Sequence, residues 1–415
     1  MEISSLLSTI EEAENYIQSQ IEKDSLESVQ YLFQDIEQAQ KAILSYLQSN
    51  PSDSFTPPQR IISFPEEITL QPELVSNRLL ELKQWRQSLQ IKKAEKKPDA
   101  AIHPTSIDKY FFGLIKTIIP MSYEDILSHL KEGFQKLDPR LQENHINYFR
   151  RFAFWGSLNP RNNDYKVLEN RSAALHDHWK DFLWLYGRLK DYRSKMILLG
   201  SLNNWFSYDF STLGLARETT YPDYFDLDLI QVSKDEVFVD LGSFIGDTVQ
   251  DYIKMYGPDS YKTIYCYEIT PATFQVLQNN LAAYPRIEYR MKGAGDSHGI
   301  MYITANDTDA SANVLAQQGN VKVEIVPIDD DIQEPVTFIK MDIEGAEQKA
   351  LLGCANHIRA SHPKLALSVY HNNEDLWKIP RMVDEICPGY EFYLRYHGGN
   401  LIATETTLIA LYREN

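Results

Sequence analysis

Four polar side chains stand where apolar runs end, and they are the residues of this chain best placed to do chemistry. Residues 237–239 run into Asp240, Thr263–Tyr267 into Glu268, residues 336–341 into Asp342, and residues 365–370 into His371. If these runs are parallel strands, their carboxyl ends open into one crevice. A carboxylate at the end of the second strand offers lone pairs to two adjacent ribose hydroxyls. The plain alternative is a solvated strand-end acid. Lys340 alternates with Asp342 and points the same way. An ammonium inside a strand is costly unless paired, and Asp342 or Glu344 is the expected partner. His371 either exchanges a proton near neutral pH or is a satisfied structural histidine.

The second cluster is the turn after the first strand, Asp240-Leu241-Gly242-Ser243-Phe244-Ile245-Gly246-Asp247-Thr248. Two glycines bracket a tight turn in which a side chain would hold a ligand off the backbone. The following helix would point its free N–H groups at that ligand. The spacing is G-x-x-x-G, not the G-x-G-x-x-G of dinucleotide binders. Alone, the loop also fits an ordinary strand-to-helix turn. Gly295-Asp296, after the third strand, either closes over a nucleobase, with Asp296 accepting from an exocyclic amine, or has no part in the site.

These residues must be positioned by alternating strands and helices. The pattern from Glu236 onward predicts strands at 237–240, Thr263–Tyr267, 287–291, 336–341 and 365–370. Helices fall between them at Asp247–Tyr256, 271–284, 346–360 and Asp375–Ile386. A polar hairpin is expected at 299–304 and 321–328, with residues 306–320 between its strands. The strands Tyr390–Tyr396 and Thr406–Tyr412 close the chain as an antiparallel pair. The expectation is an α/β, Rossmann-like doubly wound sheet.

The N-terminal part reads as mainly α-helical. Apolar residues recur at helical spacing at Leu6, Ile10, Ala13 and Ile17, then at Leu32, Ile36, Ala39 and Ile43. They predict an amphipathic hairpin over residues 1–50. A linker at 50–58 and a helix from Pro72 to Ala94 follow. Lys92, Lys93, Lys96 and Lys97 read as a solvated helix end. Ser122 is a good N-cap with acids in the first turn. Residues 179–205, rich in Trp, Leu and Tyr, should pack the helical part onto the sheet. Residues 221–228 are either a plug between domains or a lid over a ligand. His176 and His178 lack further donors at ligand spacing, and no metal is assigned to them. The expected domains are 1–50, 51–220 and 221–415.

Composition sets bounds. The chain has 415 residues with 25 Tyr, 18 Phe and 6 Trp, enough for two or three domains with a sizeable core. A formal net charge of −17 argues against general nucleic-acid binding. No apolar run is long enough to span a membrane. Three scattered cysteines and the absence of a visible signal peptide point to reduced thiols and a cytoplasmic location.

Taken together, the motifs V-F-V-D-L-G-S-F-I-G-D-T, Y-E-I-T-P, F-I-K-M-D-I-E-G-A-E and S-V-Y-H-N-N-E-D-L-W-K-I-P, with the closing Y-L-R-Y-H and E-T-T-L-I-A-L-Y, resemble the FkbM family of S-adenosylmethionine-dependent methyltransferases over residues 221–413. The resemblance implies a seven-stranded methyltransferase sheet with an antiparallel last strand. It implies S-adenosylmethionine as cofactor and O-methylation of a sugar, glycan or related hydroxyl. It places Asp240, Gly242, Gly246 and Asp247 at the methionine end of the cofactor and Glu268 at its ribose. Ser243, Thr248, Ile269, Asp296 and Asp342 complete the expected cofactor set. Lys340, Asp342, Glu344 and His371 would face the acceptor, with His371 or Asp342 as base. Ser243-Phe244 stands where family members often carry smaller or amide residues. No metal is required, although an ion between Asp342 and Glu344 is conceivable. The rivals are a nicotinamide-dependent oxidoreductase, disfavoured by the missing G-x-G-x-x-G, and a nucleotide-binding or assembly protein without turnover. The N-terminal helices suggest a homodimer.

Overall fold

The computed structural model describes residues 10–11, 13–18, 21, 30–49, 62–65, 71–94, 104–152, 155–303 and 316–413. The expected linker at 50–58 and Lys96 and Lys97 lie outside these residues. Contacts divide the chain into two units, Met1–His103 and Pro104–Asn415.

The first unit holds the helices Gln30–Ser49 and Pro72–Ala94 and a helical segment at 13–18. The residues spaced along one stripe of each helix meet in one core: Ile10, Ile17, Ile36, Ile43, Val75 and Leu82 are all fully buried. The described part of the apolar stripe on which a homodimer was expected is buried inside the unit. Gln40 fixes residue 62 from both sides, donating to the Ile62 carbonyl at 2.9 Å and accepting from its N–H at 2.8 Å. Arg86, nearly buried, pairs with Glu14 and Glu11, each at 2.9 Å.

The second unit begins with a layer of helices. Ser122 caps the helix Tyr123–Lys136 in a reciprocal box with Asp125, as its sequence suggests. Thr105 and Asp108 do the same for Ser106–Ile118. The helices Trp179–Arg188 and Tyr192–Ser207 carry this layer onto the sheet. Phe182 meets Trp377 edge-on at 5.2 Å, and Ser194 Oγ accepts from the Leu394 N–H at 2.8 Å. Arg395 then ties Asp191, which caps the second of these helices, to Asp226.

The sheet comprises β1 (Val237–Leu241), β2 (Thr263–Tyr267), β3 (Ile287–Arg290), β7 (Phe338–Met341), β8 (Lys364–Ser368), β9 (Tyr390–Tyr396) and β10 (Thr406–Tyr412). Its order is β3-β2-β1-β7-β8-β10-β9. The first five strands are parallel, while β10 runs antiparallel to both β8 and β9. The order reverses beside β1, so the crevice opens above β1 and β7. Both strands are buried along their whole length, which is why they read as continuous apolar runs.

The intervening strands β4 (Gly293–Ala294), β5 (Gly299–Ile303) and β6 (Val321–Val326) form a separate small sheet. The hairpin β5–β6 has the expected pairing, and residues 304–315 between its strands lie outside the described ones. The expected helix at 346–360 is broken into Glu347–Leu352 and Ala355–Ser361. The break falls at Gly353, where a Cβ would stand 2.0 Å from the Gly295 carbonyl oxygen. Among the described residues no helix is long and apolar enough to cross a membrane. Cys266, Cys354 and Cys387 are free and buried.

Candidate active site

The glycine turn is built by close approach of backbone to backbone. Gly242 has φ +80°, and a Cβ there would stand 1.8 Å from the Asp342 carbonyl oxygen. The N–H groups of Gly242 and Ser243 both donate to the Tyr267 carbonyl, at 3.0 and 2.9 Å. Ser243 is wholly buried and donates through Oγ to the Asp240 carbonyl at 2.9 Å. Gly246, at φ +86°, starts the helix Asp247–Tyr256 against Leu277 and Leu281. Ser243 and Gly246 therefore shape the turn, and neither lines the cavity above it.

That cavity is ≈ 490 Å³ and spans the strand ends. Gly242, Asp247, Thr248, Glu268, Ile269, Lys340, Asp342 and Glu344, all expected from the sequence, line it together. Glu268 is held in place by the turn: Oε2 accepts from the Phe244 N–H at 3.1 Å and Oε1 from the Thr270 N–H at 2.7 Å. Burial pushes the Glu268 carboxyl up, opposed by these backbone donors. Asp296 lies elsewhere. It is exposed and lines a neighbouring depression of ≈ 850 Å³, which shares Ala294, Glu344 and Ala346 with the first cavity.

The partner of Lys340 differs from the expected one. Lys340 lies beside Asp240 in the β1–β7 register, and its Nζ is 3.0 Å from Asp240 Oδ1. It also donates to the Gly242 carbonyl at 2.7 Å. Asp240 is 0% and Lys340 1% exposed. Burial alone would lower the lysine; the charges of Asp240 and Asp342 outweigh it and hold its pKa above the usual value. Asp240 thus does not reach the cavity. The pair fixes the turn from below, because each charge needs the other in a dry strand interior.

Asp342, Glu344 and His371 meet at the far end. His371 Nε2 is 3.3 Å from Asp342 Oδ1 and 3.4 Å from Glu344 Oε2. Its Nδ1 is 2.8 Å from Glu347 Oε1. Burial works to lower the His371 pKa, but Glu347, Asp342 and Glu344 outweigh it, so the ring is held as a cation. His371 is 1% exposed and does not line the cavity. Burial would raise Asp342, but His371 and Lys340 hold it below the usual carboxylate range.

Tyr224 and Glu405 are among the wall residues to which the sequence assigned no individual role. Tyr224, within the segment read as plug or lid, donates its hydroxyl to Asp342 Oδ2 at 2.6 Å, and with Pro222 and Asp223 it lines the cavity. Phe225 packs in the core beside Phe238, so the segment is anchored at its centre. Glu405, immediately before β10, also lines the cavity, and burial pushes its carboxyl up to about 7. It accepts from the Tyr370 hydroxyl at 2.9 Å. Its one signal was the acid before T-T-L-I-A-L-Y. His176 and His178 are far simpler: each pairs with a neighbouring aspartate, Asp177 at 2.6 Å and Asp181 at 2.9 Å.

The sheet order and the cavity over its parallel strand ends define a Rossmann-like methyltransferase fold. Within that class, residues 240–398 match the family described as the methyltransferase FkbM domain. A methyltransferase FkbM from Methylobacillus flagellatus is similar at 25% identity and a TM-score of 0.50, covering 66% of this chain and 71% of that one. A putative methyltransferase from Streptococcus mutans in complex with SAH covers 44% of this chain and 91% of its own, at 13% identity and a TM-score of 0.29. No curated protein matches the sequence.

Proposed function

We propose that residues 221–415 act as an S-adenosylmethionine-dependent O-methyltransferase on a hydroxyl of a sugar, glycan or related small molecule, in a reducing cytoplasmic compartment. The observation that carries this reading is one cavity with Glu268 and the glycine turn in its wall and Asp342, Glu344 and Glu405 in the same wall. The residues fit the cofactor. Glu268, held by the Phe244 and Thr270 N–H groups, borders the cavity where ribose hydroxyls would donate to it. Ile269 and Ala294 offer apolar contact for a base. Gly242, Asp247 and Thr248, which line the same cavity, are the residues we assign to the methionine end. S-adenosylmethionine, when bound, supplies an electrophilic methyl group.

The chain's own contribution is positioning and proton transfer. Asp342, fixed by Tyr224 and His371, borders the acceptor's place and helps to position it. Glu405 takes the hydroxyl proton, since a base poised near neutral pH is the effective one. His371 holds Asp342 and Glu344 in place and is a positioning residue. The depression of ≈ 850 Å³ that shares Glu344 gives an extended acceptor room beside the cavity.

The test is methyl transfer from isotopically labelled S-adenosylmethionine to a panel of free sugars, nucleotide sugars and glycans. The expected product is an ether, so the label survives mild alkali. Label lost to alkali as an ester, or found on nitrogen, would overturn the hydroxyl assignment. Cofactor binding with no transfer to any acceptor would favour an assembly role.

A further inference from the structure

We infer that Asp342, Glu344 and His371 form a binding site for a divalent cation at the acceptor end of the cavity. One donor atom from each lies within 4.8 Å of the others. Two of the three separations are 3.3 and 3.4 Å. Ligands about 2.1 Å from one ion stand about 3–3.5 Å apart, so small rotations bring these atoms onto a common centre.

The supporting shell is built for this. Glu347 is 1% exposed and takes the Nδ1 side of His371 at 2.8 Å, which turns Nε2 toward the two carboxylates; an incoming cation displaces the Nε2 proton that these carboxylates hold in the ion-free site. A carboxylate behind a histidine ring is the usual device for orienting a metal ligand. The Ile343 N–H donates to the same Glu347 oxygen at 2.9 Å, so the support is itself fixed. On the other side Tyr224 engages only Oδ2 of Asp342. Oδ1, buried and without a hydrogen bond, is the oxygen that faces His371. The donors thus come from the protein side, while Asp342 and Glu344 also border the cavity. The remaining coordination positions open toward the acceptor. A set of two carboxylates and one imidazole suits Mn²⁺ better than Ca²⁺.

The inference rests on the methyltransferase reading only for its role there. A bound cation would take the acceptor hydroxyl oxygen as a ligand and weaken its O–H bond, with the proton passing to Glu405. Binding itself needs no cofactor. The experiment is a Mn²⁺ titration of the full chain followed by electron paramagnetic resonance. Glu344→Gln, Asp342→Asn and Glu268→Ala are titrated beside the wild type, and thermal melting confirms that each folds. One saturable site per chain is expected, weakened at least tenfold by Glu344→Gln and by Asp342→Asn and unchanged by Glu268→Ala. The two ligand variants give independent readings should one of them unfold. No saturable Mn²⁺ binding, or binding that both ligand variants leave intact, overturns the inference. S-adenosylmethionine binding that persists without any Mn²⁺ site would sink this inference alone. A Mn²⁺ site without cofactor binding would sink the methyltransferase reading alone.

Discussion

At the residue scale the site is a division of charges between support and surface. Asp240 and Lys340 neutralise each other beneath the turn, whereas Asp342, Glu344 and Glu405 present carboxyls to the cavity. The supporting pair should tolerate the loss of one member poorly. Lys340→Met leaves Asp240 as an unpaired buried charge and should cost about 3–5 kcal/mol in urea denaturation. Adding Asp240→Asn should recover part of that loss; an additive or larger cost would contradict the pairing. Glu405 makes a kinetic prediction. Its carboxyl titrates near 7 and must be ionised to accept a proton, so kcat should rise as pH increases through about 7. Glu405→Gln should lower kcat by roughly 10²–10⁴-fold and remove that limb, with cofactor affinity little changed. A pH profile that keeps its limb in the variant would assign it to another group.

Residue types alone gave much of this wall, and the misses share one cause. Glu268 and Asp342 were legible because they directly follow strands, and Glu344 because it stands in the turn that follows. Lys340 was legible as a buried cation in need of a partner. Its partner was not, because strand register decides it: β1 lies beside β7, which brings Asp240 opposite Lys340. Tyr224 and Glu405 reach the same wall from positions about 180 residues apart. No local spacing announces such a meeting. The partners of His371 were likewise invisible, since Asp342, Glu344 and Glu347, all within residues 342–347, meet it only because β7 and β8 lie side by side.

At the scale of elements, periodicity was enough for most strands and helices. β2, β9, β10 and the helices Asp247–Tyr256 and Asp375–Ile386 fall where the sequence places them. β4 was missed because two residues, Gly293 and Ala294, carry no pattern and are strand only by pairing with β6. The break at Gly353 was missed because a single glycine is tolerated inside a helical pattern; the Gly295 carbonyl, 2.0 Å from where a Cβ would stand, requires glycine there. The turn after β1 gives the sharpest prediction at this scale. Gly242→Ala meets both the penalty of a positive φ, about 1 kcal/mol, and a backbone oxygen that cannot move without shifting β7. The variant should melt at a lower temperature and lose cofactor binding. Wild-type affinity in Gly242→Ala would show that the turn does not contact the cofactor.

At the scale of the whole molecule, an acidic chain with a net charge of −17 depends on how its carboxylates are held. Asp108 is one that folding uses. The Tyr186 hydroxyl and then Thr105 hold it down to about 2. An unfolded aspartate titrates near about 3.9. A depressed carboxyl stabilises the fold fully above the unfolded value, and that contribution is lost as pH falls toward about 2. Asp108→Asn should therefore be less stable than wild type at neutral pH and should lose less on acidification below about pH 4. Parallel acid limbs in the two proteins would remove Asp108 from the account.

The central claim is that the cavity over β1 and β2 binds S-adenosylmethionine through Glu268. Calorimetric titration of S-adenosylmethionine and S-adenosylhomocysteine into wild type and Glu268→Ala tests it directly. The account predicts micromolar binding to the wild type, weakened in the variant by about 1.5–3 kcal/mol as the hydrogen bonds to a charged group are removed. No binding to the wild type at saturating concentrations, or equal affinity in both proteins, would contradict it.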